Sequence, residues 1–207
     1  MSDRQALAAL AVRKLARGAR PCGFVLSDRC GDVDATPNEP HGLFLRGRRF
    51  LSRWVLTVNG RRSPRLLSVE DHASSGRTQF FMALSTGSVY AESQVTVLRR
   101  RSSIGRGFQE ELVLVNHGSS RIAVDVRLEA AADFADFASE DDSKSASELY
   151  REVRDGKLVL GQRRADSSLE THLWSSRPAD VSELGFRFRV DVVARDNWAT
   201  TFNVVAR

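Results

Sequence analysis

The sequence predicts an all-β protein built as an antiparallel β-sandwich with a short N-terminal helix. Three observations carry that expectation. Residues 121–130 and 186–193 alternate apolar and polar side chains, placing Ile122, Val124, Val126 and Leu128, and then Phe186, Phe188, Val190 and Val192, on one face. That period of two belongs to strands with one buried side. About a dozen such segments recur between turn signals, the pattern of a sandwich or barrel, and helical periodicity is confined to the stretch before Gly18.

In chain order, residues 1–20 read as a helical extension. Leu7, Leu10 and Leu15 recur at roughly helical spacing, with basic residues opposite, and Gly18 ends the pattern. Residues 21–207 read as a single sandwich domain. Residues 23–27 form a short strand, and the Asp- and Gly-rich residues 27–32 a turn. Residues 41–60, HGLFLRGRRFLSRWVLTVNG, organise the rest. An arginine cluster (Arg46, Arg48, Arg49, Arg53) leads into a strand with Trp54, Leu56 and Val58 on one face. Asn59-Gly60 then signals a hairpin, with residues 65–69 expected as its returning strand. Residues 79–84, 93–98, 108–115 and 121–130 continue the series. The polar run DDSKSASE at 141–148 is a surface loop. Asp155-Gly156 closes a second hairpin, and strands at 169–174, 186–193 and 198–205 complete the chain.

Charge excludes some functions. The formal net charge is +5, but five of the 31 basic residues and one of the 26 acidic ones lie in residues 1–20. The body, with 26 and 25, is close to neutral, whereas a nucleic-acid-binding domain carries its excess on the fold. The basic run RRRSSIGRG at 99–107 reads as a solvated hairpin tip guarding a sheet edge. It lacks aromatics for base stacking and no Gly-Lys-Ser/Thr follows. Two cysteines, Cys22 and Cys30, are too few for a disulfide framework. With no span of roughly 20 apolar residues and no secretion signal, the chain reads as soluble and cytoplasmic, without membrane or nucleic-acid partners.

A search for chemistry finds no catalytic set. His41, His72, His117 and His172 share no metal-ligand spacing, so neither a metal nor a cofactor is expected. No Gly-x-Ser-x-Gly elbow occurs. Asp133 and Asp136, in the stretch AADFADF at 131–137, are the carboxylate pair to weigh for acid–base work. Glycosidase carboxylates flank a sugar bond at about 5–10 Å, whereas two from one short segment face the same side. Pairing with arginines such as Arg49 is the favoured role, with Phe134 and Phe137 anchoring the corner.

These landmarks, taken in order, resemble the N-terminal domain of bacterial glycogen-debranching-enzyme-like proteins of the amylo-α-1,6-glucosidase type. The resemblance runs over FVLSDRCGD at 24–32, Gly42-Leu43-Phe44, Arg49-Phe50-Leu51-Ser52-Arg53, Asn59-Gly60, Glu110-Glu111-Leu112 with Asn116, and Ala132-Asp133-Phe134-Ala135-Asp136. The family usually has Asp-Thr-Arg where this chain has Gly47-Arg48-Arg49, and a basic segment where Glu140, Asp141 and Asp142 stand. Both departures bear on sugar contacts and leave the fold expectation in place. The resemblance implies a supersandwich-like domain packed on an (α/α)6 catalytic barrel that lies C-terminal to it and holds the catalytic carboxylates. It implies α-glucan as the ligand, with Arg49, Asp133, Asp136 and an exposed aromatic such as Trp54 or Trp174 as candidate contacts. The competing expectations are a free-standing carbohydrate-binding module, a polyanion-binding module using residues 46–53 and 99–106, a glycosidase active on its own, and a homo-oligomer formed through the face a barrel would cover.

Overall fold

Alternation along each strand gives every segment an apolar side to hide, and three antiparallel sheets share that task in the computed structural model. It describes residues 10, 23–62, 65–70, 77–83, 95–137, 147–165 and 167–207. The expected N-terminal helix (Leu10 apart), Cys22, His72 and most of the 141–148 loop lie outside the described residues. Strands β1 (Phe24–Leu26), β3 (Gly42–Leu45) and β4 (Arg48–Leu51) make a three-stranded sheet. A five-stranded sheet runs β14 (Asp180–Ser182), β15 (Gly185–Val192), β10 (Ile122–Ala131), β5 (Arg53–Val58), β2 (Val33–Asp34). The eight-stranded sheet runs β11 (Glu148–Arg154), β12 (Lys157–Arg164), β13 (Ser167–Ser175), β16 (Asn197–Ala206), β9 (Gly107–Asn116), β8 (Val95–Ile104), β7 (Arg77–Ala83), β6 (Arg65–Glu70).

The predicted inward face of β10 is the observed one. Val124, Val126 and Leu128 are buried, in register with Val190, Phe188 and Phe186 of β15. They meet Phe108, Leu112, Leu114, Phe202 and Val204 of the eight-stranded sheet in one continuous core. Trp54 pins the two layers together. Its ring meets Phe108, Phe186 and Phe202 edge-on, with centroids 5.9, 6.4 and 5.4 Å away, the geometry aromatic quadrupoles favour.

Two turns behave as their residues dictate. Asn59-Gly60 and Asp155-Gly156 all have positive φ, at 52°, 74°, 50° and 71°, as type I′ hairpin turns require. One expectation fails at the first of them. The segment 65–70 does not return beside β5. It pairs with β7 in the eight-stranded sheet, while the Asn59-Gly60 turn is closed by an isolated Val58–Arg61 bridge. Asn59 instead ties the turn to β10: its N–H donates to Asp125 O and its side chain accepts from Asp125 N. A third turn, Arg46-Gly47, joins β3 to β4 with φ of 51° and 79°. Its arginine hides it from a turn-residue reading.

The run 99–107 also departs from expectation. Strand β8 extends to Ile104, and only Gly105-Arg106 forms the tip. Arg99 and Arg101 are 0% and 5% exposed, whereas Arg100 faces solvent. They continue the inward parity of Val95 and Val97, so this is not a solvated hairpin tip but an ionic plug inside the sandwich.

Candidate functional site

The expected sugar-contact residues divide between a surface corner, the core and an outer sheet face. The corner is built from β4 and the segment 132–137 beside it. Backbone bonds hold the segment: Arg49 N donates to Ala135 O, and Phe137 N to Gly47 O. Phe134 adopts φ of 51°, which turns its ring inward. There it is 1% exposed and meets Phe50 edge-on at 5.7 Å. Asp133 and Asp136 flank it on the outside. Arg49 Nε donates to Asp133 Oδ1 at 3.0 Å and its Nη2 to Asp133 Oδ2, a bidentate fork. Arg48 Nη2 reaches Asp136 Oδ2 at 2.5 Å and its Nη1 the Phe134 carbonyl at 3.2 Å. The Arg49 guanidinium also lies over Phe137, 5.1 Å from the ring centre.

Each carboxylate is thus an acceptor for a guanidinium. Two permanently paired carboxylates on one side of a loop do not make an acid–base couple, which needs one proton donor and one base on opposite sides of the scissile bond. They do present a planar hydrogen-bonding surface in which Asp133 remains partly exposed.

The other two candidates fare differently. Trp54 is 0% exposed and donates Nε1–H to Glu110 Oε1 at 3.1 Å. It is not an exposed aromatic and offers no face to a sugar, because the alternation that sets Leu56 and Val58 inward sets Trp54 inward with them. Trp174 is half-buried on the outer face of β13, in register with Asn203, with Lys157 Nζ 5.3 Å above its ring.

A stronger electrostatic arrangement lies inside the sandwich. Glu110 on β9 receives Arg101 Nε and Nη2 at 2.8 and 2.5 Å on one oxygen, and Arg99 Nε at 3.0 Å with Trp54 Nε1 on the other. Arg99 Nη2 sits 2.9 Å from Glu110 Oε1 off the hydrogen-bond direction. Arg99 Nη1 donates to Asp32 Oδ1 at 2.6 Å, an oxygen that also accepts Leu56 N. Arg101 Nη2 holds the Gly31 carbonyl, and its guanidinium lies between Phe80 and Phe108. Two cations and two anions cancel, as burial demands.

The two acids answer burial oppositely. At Glu110 burial opposes the charge, but Arg101 and Arg99 overcome it and hold the carboxyl below its ordinary range. At Asp32 burial prevails over Arg99 and pushes the carboxyl up. The cluster clamps the Asp28–Asp32 turn, itself an Asx turn with Asp28 Oδ1 accepting Cys30 N and Asp32 N, onto the large sheet. Its four charged side chains are buried against one another, which suits a structural role. Parity could have found it: Glu110 is in phase with Leu112 and Leu114, as Arg99 and Arg101 are with Val97.

On the outer face of β11–β13, Tyr150 donates to Glu170 Oε1 at 2.6 Å, and Glu170 Oε2 lies 2.5 Å from His172 Nε2. Burial first, then the Glu170 contact, pushes the Tyr150 hydroxyl up to about 12. Gly161 makes room for this ring, since a Cβ there would sit 2.1 Å from it. Among the described residues no three His, Cys, Asp or Glu side chains are grouped to hold a metal. Nor is any described helix long and apolar enough to cross a membrane.

Comparison with known proteins follows the same outline. The family model for the N-terminal domain of (some) glycogen debranching enzymes matches residues 23–203. The solved structure of Slr1438 protein from Synechocystis sp. PCC 6803 superposes with a TM-score of 0.53 at 9% identity, covering 91% of this chain and 96% of that one. At such identity the likeness is one of fold. A polysaccharide lyase covers 90% of this chain and 32% of its own, with a TM-score of 0.48 at 12% identity. A galactose mutarotase-like protein from Clostridium acetobutylicum covers 75% and 67%, at 0.44 and 7%. No curated protein sequence matches the chain.

Proposed function

Given that the chain belongs to the family of N-terminal domains of glycogen debranching enzymes, we propose that it is a non-catalytic sandwich that packs on an (α/α)6 barrel and helps shape or bind α-glucan there. The family is by definition an N-terminal domain, so in related enzymes a catalytic domain follows it. The observation that carries the reading is the corner: Asp133 and Asp136, the carboxylate pair weighed for catalysis, are each engaged by an arginine of β4. Such a corner suits hydroxyl recognition rather than bond cleavage. Trp174 is the remaining aromatic candidate for stacking. The polyanion reading has less support, since Arg48, Arg49, Arg53, Arg99, Arg100 and Arg101 each have a carboxylate partner.

Incubation with glycogen and maltooligosaccharides, followed by reducing-end assay, tests this. The expected result is no turnover by the chain alone, with retardation in a glycogen-containing native gel that weakens in Asp133→Asn. Turnover that disappears in Asp133→Asn or Asp136→Asn would overturn the reading in favour of a glycosidase.

A further inference from the structure

Strand β14 is three residues long, but its neighbour β15 continues well beyond it. Asp180, Val181 and Ser182 pair with Arg187, Phe186 and Gly185, and among the described residues no strand pairs with residues 188–192 on that side. The parity of the exposed edge follows from one bond. Ala130 N donates to Leu184 O, so Leu184, Phe186, Phe188 and Val190 turn their backbone groups toward β10. Arg189 and Asp191 turn theirs the other way, into a groove of about 460 Å³. Trp198 and Arg177 form its far wall, the Arg177 guanidinium 5.9 Å above the indole and held by its Nε–H to Ala199 O. A second groove of about 440 Å³ is lined by β14, by the start of β15 and by the end of β10. The two share Asp180 and Arg187, and the second reaches Ala131, two residues from Asp133.

The polar lining of this path is of two kinds: Arg187 is held by Asp125, Arg53 by Asp34 and Glu129, and Asp191 lies near Arg121, whereas a second set is unengaged. Among the described residues Asp180, Arg189 and Arg151 make no ion pair or side-chain hydrogen bond, and no partner is found for the outer nitrogens of Arg177. These groups form a row of free donors and acceptors: two backbone N–H groups and two carbonyls at Arg189 and Asp191, one carboxylate and three guanidinium forks. Vicinal hydroxyls, which donate and accept at once, suit both carboxylate and guanidinium bidentately. Two adjoining grooves suit a chain rather than a single small ligand.

We propose that the path along β14, from Trp198 past Asp180 and Arg187 to the Asp133 corner, is a binding track for an α-glucan chain. The inference rests on the α-glucan reading above and adds to it a location.

Titration calorimetry of the whole chain with maltoheptaose, at low and high salt, tests it. Asp180→Ala combined with Arg189→Ala removes hydrogen bonds to two charged groups, so affinity should fall by about tenfold or more, with thermal unfolding unchanged. Arg100→Ala, on the outer face of the large sheet, should leave affinity within about twofold. Undiminished binding in the double variant overturns the track while leaving glucan binding by the domain in place. No binding of maltoheptaose by the unaltered chain overturns the track and, with it, glucan binding by the domain. Maltoheptaose is neutral, so its affinity should be nearly insensitive to salt; affinity that collapses at high salt overturns the track as a site for hydroxyl recognition.

Discussion

The interior cluster of Arg99, Arg101, Glu110 and Asp32 and the surface corner of Arg48, Arg49, Asp133 and Asp136 use the same four groups: two guanidiniums, two carboxylates. Both join segments far apart in the chain. They differ in water. The interior side chains are 0–6% exposed, whereas those of the corner run from 11% to 37%. A buried ion pair gains little over an apolar pair of the same shape, but it is severe to break. An exposed pair is cheap to make or lose. The comparison teaches that identical chemistry is sealed from water in one place and left partly open to it in the other.

The largest expected effect comes from breaking the interior cluster. Glu110→Gln keeps a hydrogen-bonding group beside Trp54 but leaves two buried guanidiniums facing only Asp32. Urea unfolding should show a loss of about 3–5 kcal/mol. A loss as small as that of a surface pair would refute the contrast. The second effect is a pH dependence. Glu110 has a folded pKa below its ordinary value of 4.5, held there by the arginines against burial. Glu170 is lowered by Tyr150 and His172, and Asp125 by Arg187 and Arg127. For a lowered group the unfolded chain binds protons first as pH falls. The stabilisation is therefore present above the unfolded value and is lost as pH falls through the folded one. Asp32 has the opposite sign, because burial raises it above 3.8, so it offsets part of the loss. Denaturant unfolding across pH 7 to 3, a range chosen to span roughly both carboxylate values, should show stability falling in acid, with a shallower slope in Glu110→Gln. The smallest effect belongs to the corner. Asp133→Asn should cost about 1 kcal/mol or less while weakening retention by glycogen, a separation of stability from binding that the interior variant cannot show.

How much of this was legible in the sequence varies with the residue. The inward face of β10 and β15 and the turns at Asn59-Gly60 and Asp155-Gly156 could be read directly, because alternation and positive φ are local properties. The pairing of Asp133 with Arg49 was also anticipated, from the preference of a carboxylate for a guanidinium. Trp54 was legible as an inward residue from its phase with Leu56 and Val58, yet as an aromatic it invited a sugar-contact reading that its burial removes. Arg99 and Arg101 were obscured by their charge. Composition says surface, parity says interior, and parity wins only because Glu110 and Asp32 arrive opposite them. The track along β14 had no signal at all, since it depends on one strand ending before its neighbour.

The sequence by itself determined which segments become strands, which side of each seeks the core, and where the chain can turn, since backbone sterics and side-chain parity act over a few residues. Tertiary structure alone decided that residues 65–70 join β7 rather than β5. It alone brought Asp32 within 2.6 Å of Arg99 across 67 residues of chain, and among the described residues it left part of the β15 edge without a pairing strand. Strand pairing and charge burial are settled by whichever partners can exclude water together, and no single segment carries that information.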